Sequence, residues 1–366
     1  MKSKHVNKTK ILMLSPALNA VSGVSTHVNM LLGSSLAQSY HLMHFQVGRE
    51  GRDESRLQRI ARFALSPLEL ASFLISHRPH ILHINTSMDR KAFWRDFCYL
   101  VVARALGCRV ITQFHSGFGP QKAFKNPLIA WAFRRFLLWS HVIVVISDQA
   151  FREHKKFDPR IQVDHVPNAI EATGLLDIPH APPLGHFLRL VFVGRLVHTK
   201  GLFEAIDALA MVRAAGVHFT FKIAGSGPDE AELISLIAKH QLQREVKLLG
   251  PVFHEEKKRL WLDSDVFVFP TYFEGLPYSL LEAMAAGCVP VTCSVGGIPD
   301  VMTDGEHGLF VPVRDAGAIK TAICRLATDA SELQRMSLAG RRRIAEQYTI
   351  DRVAARFHEI YQRMGQ

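Results

Sequence analysis

The segment VFVGRLVHTKG carries Arg195 and Lys200 in one loop, and FEGLPYSLLEAMAAG carries Glu274 and Glu282 with seven residues between them. Two cations where a strand gives way to a helix suit a diphosphate. The two carboxylates cannot stack as a metal pair, because at about 100° per residue their phases around a helix differ by about 80°. Glu274 can instead reach past the helix tip while Glu282 faces along its side, so that one ligand could meet both. Taken alone, a loop glutamate and a solvated helix glutamate explain the pair. The apolar neighbours of Glu282 (Leu281, Ala283, Met284) make an unpaired charge there costly and point to a ligand or a partner.

The element that would position these groups is a short helix over Tyr278–Ala286. Pro277 suits its first turn and Gly287 its left-handed end. Its free N–H groups and positive dipole end would face whatever lies beyond the preceding strand, a favourable place for phosphate. Other turns supply Gly194, directly before Arg195, and Gly225 with Gly227 in IAGSGP, although a plain tight turn explains the latter pair. ITQFHSG puts His115 at a strand end, where a ligand role and a structural one weigh evenly among 19 histidines. Asp263-Ser264-Asp265 imitates a metal-binding D-x-D. It precedes a strand, whereas sites in parallel sheets lie at strand carboxyl ends, so no metal ligand is assigned.

Short apolar runs alternating with helix-like stretches imply an α/β chain of two Rossmann-like, doubly wound domains facing a cleft. In the first half, strands are expected at Ile11–Leu14, His41–Val47, Ile81–Ile84, Val110–Phe114, Ile143–Ile146 and Val163–Val166. Helices are expected at Val24–Leu36, Ser66–Ser76, Lys91–Leu106 and Leu128–Trp139. The rhythm lapses over 172–187, rich in Pro and Gly, and restarts. The expected division is therefore a first Rossmann-like domain at 1–171, a linker at 172–187, a second Rossmann-like domain at 188–348 and a terminal helix at 349–366.

Composition excludes several classes. With 366 residues, 48% hydrophobic and 21% charged, the chain can bury two cores. The basic start MKSKHVNKTK is followed by too short an apolar run for a signal peptide, and no run approaches the roughly 20 residues of a membrane span. Five cysteines without CxxC spacing fit buried thiols in a reducing cytoplasm. The first loop, NAVSGVSTHV, has a single glycine, Gly23, which disfavours a dinucleotide oxidoreductase; a P-loop pattern is absent. Residues 1–175 carry 23 Lys+Arg against 11 Asp+Glu, net +12, whereas the remainder is net −1. Such asymmetry suits an anionic surface or substrate; nucleic acid is disfavoured, as no RNA- or DNA-binding motif accompanies the charge.

Taken together, GRLVHTKG, IAGSGP, EGLPYSLLEAMAAGCVPV and GGIPDVMTDGEHGLFVP resemble the GT-B-fold glycosyltransferases of family 4. SGVSTHV, HSG, VISDQ and VPNAIE match that family more loosely, with Ser22 in place of a usual glycine. The resemblance implies a retaining, metal-independent glycosyltransferase using a nucleotide sugar; the expected reaction is transfer of a hexose from a nucleoside diphosphate sugar without a cofactor, and although the base is not legible in the sequence, UDP is favoured over GDP. It assigns Arg195 and Lys200 to the diphosphate, Glu282 to the ribose hydroxyls, and Glu274 with the turn Gly275, Leu276 and Pro277 to the sugar. It also implies that His115 meets the sugar from across the cleft and that the final helix crosses back onto the first domain. A GT-B epimerase or phosphorylase and a nucleic-acid-binding protein are the alternatives.

Two further segments suggest an anionic membrane as partner. RKAFWRDF from Arg90 and KAFKNPLIAWAFRRFLLWSH from Lys122 interleave Phe124, Trp131, Phe133, Phe136 and Trp139 with Lys122, Lys125, Arg134 and Arg135. Rings at the headgroup boundary and cations on phosphates are how an interfacial helix binds, although core packing explains the aromatics alone. The expectation is a cytoplasmic enzyme, peripheral on the inner membrane face, acting on a lipid-linked saccharide acceptor.

Overall fold

A computed structural model describes residues 8–48, 52–87, 90–116, 119–120, 126–171, 174–179 and 187–365. The chain divides into two compact units, Met1–Ala169 with Ile350–Gln366, and Ile170–Thr349. Residues 172–173 and 180–186 of the expected linker lie outside the described residues.

In the first unit the order is β1 (Lys10–Ser15), α1 (Gly23–Gly33), α2 (Leu36–Ser39), β2 (His41–Gln46), α3 (Arg56–His77), β3 (Ile81–Thr86), α4 (Arg90–Ala105), β4 (Arg109–Phe114), α5 (Pro127–Trp139), β5 (Val142–Val145), α6 (Asp148–Phe157) and β6 (Val163–His165). The second unit holds β7 (Phe187–Val193), α7 (Leu202–Ala214), β8 (His218–Ala224), α8 (Glu230–Lys239), β9 (Val246–Gly250), α9 (His254–Leu262), β10 (Val266–Phe269), α10 (Tyr278–Ala286), β11 (Val289–Thr292), α11 (Ile298–Val301), β12 (Leu309–Phe310), α12 (Ala316–Thr328) and α13 (Ala330–Gln347). The last helix, α14 (Ile350–Gly365), returns to the first unit.

Each unit contains one parallel six-stranded sheet, ordered β2-β1-β3-β4-β5-β6 and β12-β11-β10-β7-β8-β9. The near-continuous apolar strands follow from burial on both faces. Alternate residues divide the first core: Leu12, Leu14, Leu82 and Ile84 meet α3, α4 and α5, whereas Ile11, Met13, Ile81 and Ile111 meet α1 and α14. Strand order reverses between β1 and β3 and between β7 and β10. At such reversals neighbouring loops leave in opposite directions and open a crevice at the carboxyl ends of the strands.

Three helical expectations need correction. The helix expected over Val24–Leu36 breaks into α1 and α2, because Ser34 turns extended and its hydroxyl donates to Leu31 O. α3 begins ten residues before the expected Ser66, at a capping box in which Ser55 and Gln58 each satisfy the other's backbone N–H. Pro67, which reads as a helix start, sits inside it: lacking an N–H, it cannot serve the Phe63 carbonyl, and the Ser66 hydroxyl donates there instead at 3.5 Å. α6 was not expected; Ser147 caps it through the Ala150 N–H.

The aromatic–basic segments also divide differently. Phe133 and Phe136 are core residues of α5, packed edge-on against Phe93 of α4. Arg134 hydrogen-bonds the buried carboxylate of Asp158 at 2.8 Å. Trp94, Trp131 and Trp139 stay exposed, with Arg135 over the Trp131 ring. Core packing thus accounts for the two phenylalanines, because every third or fourth residue of α5 must cover the sheet. Lys122, Phe124 and Lys125 lie outside the described residues, as do the side chains of Arg90 and Lys91.

Candidate active site

The loops after β7 and β10 flank the reversal of the second sheet, and they carry Arg195, Lys200 and Glu274. β7 ends at Val193, just before Gly194; a single 3-10 turn over His198–Lys200 then hands the chain to α7 through Gly201, which is left-handed at φ 72°. Lys200 Nζ pairs with Glu274 Oε1 and lies 5.3 Å over the Phe269 ring. The Thr271 hydroxyl approaches the same carboxylate oxygen at 3.4 Å. Burial pushes the Glu274 carboxyl above its ordinary range, and the Lys200 ammonium opposes that shift. Arg195 is exposed and makes no side-chain hydrogen bond or ion pair among the described residues. One cation of the loop is therefore paired and the other open.

Gly225 and Gly227 have a structural role the sequence left open. A side chain on Gly225 would strike the Gly194 carbonyl oxygen, and one on Gly227 the Leu196 carbonyl oxygen, so the loop after β8 lies directly against the loop after β7. Gly275 anchors the turn before α10 by accepting the Gly297 N–H at 2.6 Å. Leu276 is buried, and Pro277 stands at the N-cap without a side-chain cap, leaving the first turn of α10 open to an acceptor. Gly287 ends the helix at φ 97°.

Glu282 is not left for a ligand alone. α9 supplies its partners: Lys257 Nζ at 2.7 Å from Oε1 and Trp261 Nε1 at 3.2 Å from Oε2. The cost of its apolar setting is met by these two, which share a helix face four residues apart. One turn before Glu282 on α10, the Tyr278 hydroxyl is buried without a hydrogen bond, its pKa raised by that burial and by the Glu282 charge. Sequence reasoning missed Lys257 and Trp261, since nothing local connects them to a glutamate on the next helix. The D-x-D decoy resolves similarly: Asp265 is buried at the amino end of β10, accepting from Arg189 at 2.6 and 3.0 Å and from its backbone N–H at 2.8 Å. Among the described residues no group of three or more His, Cys, Asp or Glu could hold a metal ion.

In the first unit, Gly23 opens α1, where the Ser22 hydroxyl already accepts the Ser25 N–H at 3.2 Å. His115 follows β4, and its Nε2 donates to Asn85 Oδ1 at 3.0 Å, which leaves Nδ1 as an acceptor. A buried histidine network surrounds it. His27 and His83 both donate through Nε2 to Gln113 Oε1 at 3.1 Å, and Tyr361 of α14 donates to His83 Nδ1 at 2.8 Å. Burial pushes His27 down to about 4 and His83 to about 3. Burial, then repulsion from those two rings, holds His115 well below its ordinary value. All three are neutral near pH 7. The side-chain nitrogens of Asn85 and Gln113 are buried without partners.

Residues 185–343 match the family model Glycosyl transferases group 1, and residues 21–173 match Glycosyltransferase Family 4. The chain belongs to the GT-B glycosyltransferases of family 4. Among relatives of this family-4 chain, a Salmonella typhimurium protein named as a colanic acid biosynthesis glycosyltransferase, WcaL, is 34% identical over 169 residues. That match covers 44% of this chain and 41% of WcaL, less than half its length. The Erwinia amylovora amylovoran biosynthesis glycosyltransferase AmsK is 26% identical over 340 residues, 88% of this chain and 78% of AmsK. Among solved GT-B structures, Anabaena HepE in complex with UDP superposes with a TM-score of 0.74 at 14% identity, over 97% of this chain and 99% of that one.

Proposed function

We propose that this chain moves a hexose, with retention of anomeric configuration and without a metal, from a nucleoside diphosphate sugar to a hydroxyl of a lipid-linked saccharide or polysaccharide precursor of the cell envelope. The observation that carries this reading is the meeting of Arg195, Lys200, Glu274 and the open first turn of α10 at the strand-order reversal of the second sheet. Breaking the anomeric C–O bond leaves negative charge on the departing phosphate, and fixed cations and N–H groups there lower the barrier most. A diphosphate arriving at Arg195 would compete with Glu274 for Lys200. That exchange would release the Glu274 carboxylate to the hydroxyls of the sugar. Glu282, steadied by Lys257 and Trp261, is proposed to accept from the ribose hydroxyls. His115 is the proposed catalytic contribution of the first unit, a neutral ring able to accept a hydrogen bond through Nδ1. No covalent nucleophile is assigned, so the leaving phosphate is proposed to take the acceptor proton on the same face of the sugar.

UDP is favoured over GDP as the nucleotide, in line with the UDP held by HepE. The names of WcaL and AmsK, glycosyltransferases of colanic acid and amylovoran biosynthesis, support the acceptor class. Family membership favours transfer over epimerase, phosphorylase or nucleic-acid binding. The net +12 of residues 1–175 supports docking of the first unit on an anionic membrane surface, at the cytoplasmic face. No helix among the described residues is long and apolar enough to cross a membrane. Thermal stabilisation by UDP, GDP and ADP tests the donor half: a ligand of the native state raises Tm by mass action. UDP is expected to raise it most, and no shift with any of the three would remove the nucleotide-sugar reading.

A further inference from the structure

α3 contradicts the usual pattern of a helix on a parallel sheet. Its inner face, Ser66, Leu70 and Leu74, is buried against the core. Its outer face is apolar too. Leu57, Ile60, Ala61, Ala64, Leu68 and Ile75 recur at steps that return to one line of the helix, half a turn of phase from Ser66. Leu57 is 80% exposed, Leu68 67%, and Ile60 and Ile75 59% each. The stripe is about 27 Å long at 1.5 Å per residue, far beyond the scattered apolar residues of an ordinary surface.

We infer that this outer stripe of α3 is the element that lies in the headgroup region of an anionic bilayer, an inference that rests on the membrane docking proposed above and moves its centre from α5 to α3. The charges around the stripe select the occupant. Arg52, Arg56 and Arg59 stand exposed at its start, His77 and Arg78 at its end, and the helix contains one acidic residue, Glu69. A second copy pairing antiparallel along the stripe would set each basic start against the other's basic end. A parallel pair would set the arginines against each other. Lipid phosphates answer both ends of the stripe, while the leucines and isoleucines enter the acyl boundary. Next to α3, α4 adds the exposed ring of Trp94. With Phe133 and Phe136 committed to the core, α5 offers less continuous apolar surface.

The test uses the full chain and two variants, the triple L57S/I60S/L68S and the single I60W, with vesicles of phosphatidylglycerol and phosphatidylethanolamine or of neutral phosphatidylcholine at low salt. The unaltered chain is expected to co-sediment with anionic vesicles and weakly with neutral ones. The triple variant is expected to bind anionic vesicles about tenfold more weakly or worse, with an unchanged melting curve, since all three side chains are exposed. The I60W emission, taken as the difference from the unaltered chain with its four tryptophans, is expected to shift to the blue on anionic vesicles and to be quenched by brominated lipid. Unaltered binding by the triple variant, or an I60W emission indifferent to vesicles that the protein does bind, overturns the assignment to α3 while membrane docking stands. Failure of the unaltered chain to bind anionic vesicles overturns both. A dimer in sedimentation velocity that the triple variant dissociates, with no vesicle binding, makes the occupant a second copy and overturns the bilayer.

Discussion

Arg195 and Lys200 share a loop, yet only Lys200 is spoken for, held by Glu274 beside the Phe269 ring. Their proposed work on a diphosphate predicts that Arg195→Ala and Lys200→Ala each lower kcat on the order of 10²-fold, the usual effect of losing one charge-stabilising donor. Steady-state turnover near that of the unaltered enzyme in both variants would end the assignment. The two glutamates should separate in calorimetry. Glu282→Ala is expected to weaken UDP binding by about 1–3 kcal/mol and to lower Tm slightly, because Lys257 and the Trp261 N–H lose their acceptor. Glu274→Ala should keep or raise UDP affinity, because Lys200 is then free for the diphosphate, and should reduce turnover. The opposite pattern would mean the two roles are exchanged. At this scale the motif residues were legible because their types and spacing are local, whereas their partners were not. Lys257 and Trp261 reach Glu282 only because α9 packs beside α10.

Elements decide what the histidines and the last helix do. His27, His83 and His115 come from α1, β3 and the end of β4, and they meet because β3 and β4 pair Asn85 with Gln113 while α14 presses Tyr361 onto His83. Their folded-state pKa values are depressed, so the unfolded chain takes up protons first as pH falls below the ordinary value of 6.5. The stability these neutral rings contribute is therefore fully present above about 6.5, and it is lost as pH falls toward about 4 for His27 and about 3 for His83. Thermal melts should show Tm dropping through that window, and His83→Gln should flatten the dependence. A pH-independent Tm between 6.5 and 4 would contradict the burial of the network. In α14, Phe357 is fully buried against β1, β3 and α1. Phe357→Ala is expected to cost about 3–5 kcal/mol in urea unfolding, against less than about 0.5 kcal/mol for an exposed change on the same helix such as Arg352→Ala.

For the whole molecule, the chemistry proposed for the second unit assigns the diphosphate charge to Arg195, Lys200 and the start of α10. Activity is accordingly expected to survive EDTA; complete loss, restored by Mn²⁺ or Mg²⁺, would overturn the metal-free mechanism. The sequence by itself determined the class of fold and the strand-end loops that carry the proposed site, because in a parallel sheet buried on both faces each strand is an apolar run and each loop a local signal. It determined α10 to the residue, since Pro277 and Gly287 bracket a nine-residue run that holds seven good helix formers. It misplaced the start of α3, passing over the local capping box of Ser55 and Gln58 that opens the helix ten residues before Ser66. Only the tertiary structure decided which aromatics of α5 are core, that Asp265 serves Arg189, that Glu282 is already paired, and that the outer stripe of α3 is exposed. Each of these depends on which helix or strand lies beside which, and proximity between elements distant in the chain leaves no mark on the periodicity or spacing of either one.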